Sequence, residues 1–260
     1  MTARKRFGQH FLHDPAVIDR IIAAIAPRAD QSLVEIGPGT GALTESLLEV
    51  LPRLDAIEID RDLAAALRRR FAAREGFVLH EQDALGFDWL GLAQARGQRL
   101  RLVGNLPYNI STPLLFALLP HMPVVADMHF MLQKEVVDRI VAPPGSRTYG
   151  RLTVMLAPFV TAERVLDVGP GAFRPPPRVH SAVVRLQARP GIPAWARLPQ
   201  YGAVVTAAFG QRRKQLRNSL SSLLEPVQME ACGIDPQARA EALSADQFGL
   251  LAQAAAPVVH

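Results

Sequence analysis

An α/β fold built on a doubly wound parallel sheet is what this sequence predicts, on three observations. Short apolar runs alternate with helical patterns through the first half of the chain. A glycine loop, "GPGTG", follows the first clear strand, and Glu58 closes the next one, 21 residues after Gly37. Strands alternating with helices at this spacing pair in parallel through right-handed crossovers, which covers both faces of the sheet.

The elements follow in order. Residues 15–26 set Val17, Ile18, Ile21, Ile22 and Ile25 on one helical face, with Asp14 as cap and Pro15 in the first turn. Strands are expected at 32–37, 54–60, 77–83, 99–105 and 126–133. Helices are expected after the glycine loop, over 61–71, after Ser111 or Thr112 as cap with Pro113 in the first turn, and from Lys134 onward. Two later runs, "ERVLDVG" and "SAVVRLQ", are separated by a proline-rich loop and read as an antiparallel hairpin at one sheet edge. A linker at 188–199 precedes an all-helical tail, in which Asp235 with Pro236 and the pair Ser244/Gln247 read as helix starts. The expected division is a sheet domain over 1–188 and a helical domain over 189–260.

Composition narrows the function. The lone Cys232 excludes a disulfide framework, and the seven histidines fall in no metal-ligand spacing, so no metal is expected. No apolar run is long enough for a membrane span and no cleavage signal follows the basic N-terminus, which points to the cytoplasm. A net charge of +5 suits a polyanionic partner. The cations gather as Arg4, Lys5 and Arg6, and as Arg212, Arg213, Lys214 and Arg217. Four cations within six residues repel one another unless phosphate relieves them, so both groups read as RNA contacts.

Glycines at 37, 39 and 41 let a ligand approach the backbone, and Glu58 can accept two hydrogen bonds from ribose hydroxyls. Asp83, ending the third strand, is a natural acceptor for an adenine amino group. "GPGTGA" also satisfies a dinucleotide template, so a nicotinamide oxidoreductase stays open on the loop alone. Glu35 disfavours a pyrophosphate and suits a ligand carrying an ammonium and a sulfonium, as S-adenosylmethionine does. The stretch "NLPY" then gains a purpose. The Asn105 amide oxygen and the Leu106 carbonyl can hold the two N–H bonds of an exocyclic amino group. Pro107 stiffens the turn, and Tyr108 offers a face on which the base stacks.

"NLPY" resembles the N/D-P-P-Y motif of amino-methyltransferases. With "RKRFGQHFL", "VEIGPGTGALT", "MLQKEVVDRI", "FRPPPRVHSAVVRL", "FGQRRKQLRNSL" and "GIDPQARAEALS", the chain resembles the ribosomal RNA small-subunit adenine dimethyltransferase family over nearly its whole length. The resemblance implies a Rossmann-like, S-adenosylmethionine-dependent methyltransferase sheet. It also implies dimethylation of N6 on two adjacent adenosines near the 3′ end of small-subunit (16S) rRNA, with the 30S subunit or its precursor as partner and the enzyme a monomer. Carried over by position, cofactor contacts fall on His10, Leu12, Gly37, Gly39, Glu58, Asp83 and Asn105, and Phe173 pairs with Tyr108 around the target adenine. Many members have asparagine where this chain has His10. Two rivals remain at this point: the same chemistry on large-subunit rRNA, and a ribosome-assembly protein that kept the fold without turnover.

Overall fold

A computed structural model of the chain describes residues 10–211 and 213–255. By mutual packing they divide into two units, residues up to 137 with 162–188, and 138–161 with the remainder from 189. The units change along the chain at 137/138, 161/162 and 188/189. Residues 138–161 group with the helical tail.

The sheet unit begins with β1 (Phe11–Leu12) and α1 (Pro15–Ile25). The Asp14 carboxylate accepts from the N–H groups of Ala16 and Val17, and α1 buries Ile21 and Ile25. There follow β2 (Ser32–Ile36), α2 (Ala42–Val50), β3 (Leu54–Ile57), α3 (Arg61–Arg70), β4 (Phe77–His80), α4 (Trp89–Arg96), β5 (Leu100–Asn105), α5 (Ser111–Leu118), β6 (Val125–Gln133) and α6 (Lys134–Ile140). The sheet runs β4-β3-β2-β5-β6-β9-β7, with β7 at Val160–Val168 and β9 at Ser181–Ala188. Pairing is parallel from β4 to β6 and antiparallel between β6 and β9. A two-residue strand, β8 (Phe173–Arg174), pairs with β1 outside this sheet.

Every residue of β2 is buried, as a strand covered on both faces requires. On one face Val103, Met131 and Val183 pack with Ile21, Ile25 and Leu47. Beneath them Arg101 pairs with Asp127 at 2.9 Å and donates to the Ile25 carbonyl at 2.6 Å. That bond satisfies a carbonyl that the end of α1 leaves without an intrahelical partner.

The helical unit holds α7 (Arg151–Leu156), α8 (Pro199–Gly210), α9 (Leu216–Ser219), α10 (Pro226–Ala231) and α11 (Ala245–Ala254). Tyr149 and Tyr201 are buried in its core and donate to the carbonyls of Leu243 and Val154. Ser244 and Gln247 form the expected capping box of α11. The segment after Asp235 is not the expected helix. Its backbone pairs with the start of α9 through Leu216 N–H to Ala238 O and Arg217 N–H to Pro236 O. Among the described residues no helix is long and apolar enough to cross a membrane.

Candidate functional site

Successive strands are added outward from β2 through β3 to β4, and the chain then returns to the other side of β2 with β5. The order therefore reverses between β2 and β5, the place where open α/β sheets bind ligands at their strand ends. Here Gly39 takes φ +59°, and a Cβ on it would stand 3.2 Å from the Phe11 ring. Across from it, a Cβ on Gly104 would lie 2.3 Å from the Ile36 carbonyl oxygen, so only glycine lets β5 approach β2 this closely. The two strand ends open on one crevice. His10, Leu12, Gly37, Gly39, Glu58, Asp83, Asn105, Leu106, Pro107 and Tyr108 all line it, as does Glu35.

The crevice is acidic. Glu35 is 2% exposed, and its carboxylate accepts from the Thr44 hydroxyl at 2.6 Å. Burial pushes this acid up to about 7 against that hydrogen bond, and the nearby charge of Glu58 pushes the same way. Glu58 is also raised by burial, although its carboxylate accepts from the N–H groups of Gly39 and Asp60. Among the described residues no cation pairs with either acid. Such a donor set fits a positively charged ligand. Asp83 caps the short turn at Ala84–Gly86 and borders the same crevice, so its two roles coincide.

On the β5 side, the Asn105 amide nitrogen donates to the His10 carbonyl at 3.0 Å. Among the described residues neither the Asn105 amide oxygen nor the Leu106 carbonyl has a hydrogen-bond partner. The Pro107 carbonyl accepts from the Ile110 N–H and the Ser111 hydroxyl, which holds the turn. Ser111 therefore braces the turn from inside α5 and does not cap that helix; Ile110 is the capping position, without a side-chain bond. The Tyr108 hydroxyl meets the Ser181 hydroxyl at 3.0 Å, and the His10 ring lies 5.7 Å from the Tyr108 ring.

A model of the family described as ribosomal RNA adenine dimethylase matches residues 1–256. The chain belongs to the ribosomal RNA adenine dimethylase family. It is 57% identical over 251 residues to ribosomal RNA small subunit methyltransferase A of Methylococcus capsulatus, covering 96% of this chain and 97% of that one. The protein of the same name from Pseudomonas aeruginosa is 54% identical, covering 96% and 93%. Among solved structures, the 23S rRNA methyltransferase ErmE superposes with a TM-score of 0.72 at 26% identity, over 94% of this chain and 98% of that one. A dimethyladenosine transferase from Plasmodium falciparum shares the fold, with a TM-score of 0.76 at 24% identity over 93% and 96%.

Within this dimethylase fold one expected site residue is placed elsewhere. Phe173 is 2% exposed, packs in the apolar cluster of the sheet unit and does not line the crevice. Its strand β8 pairs it opposite Leu12, and a ring in that register is held by the core. Arg4, Lys5, Arg6 and Arg212 lie outside the described residues, while Arg213, Lys214 and Arg217 are exposed in the helical unit. Two residues that sequence reasoning missed are Ile59, 52% exposed, and Leu85, 42% exposed, both at the crevice. The signal was present: each stands within two residues of a strand-end acid, where exposed apolar surface invites a flat ligand.

Proposed function

We propose that this protein transfers methyl groups from S-adenosylmethionine to the N6 amino groups of two adjacent adenosines near the 3′ end of small-subunit (16S) rRNA. The observation that carries the reading is the pair of unpartnered acceptors, the Asn105 amide oxygen and the Leu106 carbonyl, beside a crevice whose two buried acids have no cation.

S-adenosylmethionine supplies an electrophilic methyl and a positive charge. The carboxylates of Glu35 and Glu58 suit that charge, and Glu58 is placed to accept from ribose hydroxyls as the glycine loop approaches the ligand backbone. Ile59 and Leu85 offer apolar surface to its adenine, and Asp83 an acceptor for the adenine amino group. The target nitrogen is a poor nucleophile because its lone pair is delocalised into the purine. Two acceptors on its N–H bonds favour a tetrahedral nitrogen and stabilise the positive charge that grows on it, so they act mainly in the transition state. The Tyr108 ring carries the base, a stacking contact of about 1–3 kcal/mol. A separation of 5.7 Å between the His10 and Tyr108 rings is a direct contact, which leaves the other face of Tyr108 for the base. Reaching this site requires an unstacked adenine. Arg213, Lys214 and Arg217, with the basic N-terminal arm, would hold RNA phosphates in the 30S subunit or its precursor.

Incubation with labelled S-adenosylmethionine and unmodified small and large ribosomal subunits, followed by mapping of the label, tests the reading. Label on adenines of the small-subunit RNA is expected. Asn105→Ala should lower the methylation rate about 10²–10³-fold while RNA binding persists. Full activity in that variant, or label only in the large subunit, refutes the assignment.

A further inference from the structure

Asparagine and aspartate offer nearly the same shape and the same acceptor oxygen, so the acceptor role alone does not explain which of them stands at position 105. The difference lies in the second atom. The Asn105 group that faces the His10 carbonyl at 3.0 Å must be the amide nitrogen, because a carbonyl oxygen can only accept. That carbonyl is itself fixed. The His10 ring donates from Nδ1 to the Pro175 carbonyl at 2.7 Å and rests on Tyr108. The next residue, Phe11, pairs with Arg174 in the β1–β8 ladder.

We propose that the backbone carbonyl of His10 is a positioning group for methyl transfer: it takes the amide nitrogen of Asn105, reserves the amide oxygen for the acceptor amine, and so makes position 105 specific for asparagine. This rests on the methyl-transfer reading above. An ionised carboxylate at 105 would have no proton to donate and would set one oxygen against the His10 carbonyl. A protonated carboxyl would restore the pattern, one O–H toward His10 and one oxygen toward the substrate. The residue leading into β1 is thereby part of the acceptor site through its main chain, whichever side chain occupies position 10.

Two measurements on the full-length protein test this. Turnover of Asn105→Asp is compared with wild type from pH 8 to pH 5.5, with cofactor binding followed by calorimetry at each pH. At pH 8 and saturating S-adenosylmethionine the variant is expected to turn over about 100-fold more slowly. The ratio of variant to wild-type turnover is expected to rise more than about tenfold as pH falls and the introduced carboxyl gains its proton. Wild-type turnover at pH 8, or a ratio independent of pH, overturns the proposal. Hydrogen exchange of the Asn105 side-chain amide in ligand-free wild type is independent of how the variant folds. Slowed exchange is expected, and exchange as fast as for a free amide overturns the proposal. Should wild type itself methylate no small-subunit adenine, the functional reading fails, and the amide exchange still decides whether His10 holds Asn105.

Discussion

Glu35 and Asp55 sit on neighbouring strands, one step apart in register, and each is 2% exposed. Burial pushes both acids up, yet they end on opposite sides of the ordinary carboxylate range. For Asp55 the hydrogen bonds from His80 at 2.9 Å and from Arg96 at 2.8 and 2.6 Å outweigh burial and hold it low. For Glu35 the single Thr44 hydroxyl does not, and it rises to about 7. The difference teaches how to read a buried acid. One supplied with its own cation belongs to the framework, whereas one left without a cation at a crevice is available to a ligand's charge.

The largest effect should come from disarming the framework acid. Arg96→Ala leaves Asp55 buried beside His80 alone and is expected to cost about 3–5 kcal/mol of stability by denaturant unfolding. A loss of cofactor affinity without that destabilisation would break the comparison. Glu58→Gln should act the other way. Cofactor affinity drops about 10–100-fold by calorimetry as charge-assisted hydrogen bonds are lost, while stability falls less than in Arg96→Ala, because only one of the Gly39 and Asp60 N–H groups loses its acceptor.

Glu35→Gln sharpens the contrast through pH. Because folding raises this acid above its ordinary value of 4.5 to about 7, the native state holds a proton that the unfolded chain releases, and wild type loses stability as pH climbs through that window. The variant should lack this loss, so the difference in melting temperature between the two widens from pH 5 to pH 8. A constant difference would mean that Glu35 stays ionised without a ligand. The smallest effect is expected at His129, buried on β6 and lowered to about 4 by burial and by Arg101 and Arg185, against the opposing pull of Asp127. Here the unfolded chain binds the extra proton. Wild type therefore loses stability as pH falls from the ordinary 6.5 toward about 4, and His129→Leu should lose less in acid unfolding.

The sheet unit was legible in the sequence because its signals are local. Asp14 before Pro15, the glycines after β2 and the acid closing the next strand each carry their meaning within a few residues. The crevice was legible for the same reason, since its lining comes from strand ends marked by glycine, acid or amide. What escaped was set by distant partners. Tyr149 belongs to the helical unit through Leu243, 94 residues away. The run after Asp235 has the cap and proline of a helix start, yet its carbonyls accept from Leu216 and Arg217. Phe173 lies within the proline-rich loop, which gives no sign of which way the ring points, and its pairing with Leu12 decides that. The helix α4 was missed although Asp88 caps it and Gly97 ends it in the left-handed conformation; both signals were there.

The tight seam at Gly104 has a last consequence. In the proposed reaction the donor and acceptor would sit at the ends of β2 and β5, adjacent strands of one hydrogen-bonded ladder, so the span between them would be a dimension of the framework. Any side chain at position 104 would have to displace the carbonyl of Ile36, wedging those strand ends apart. Ligand grip and chemical step would then fail together, even with every lining residue still in place.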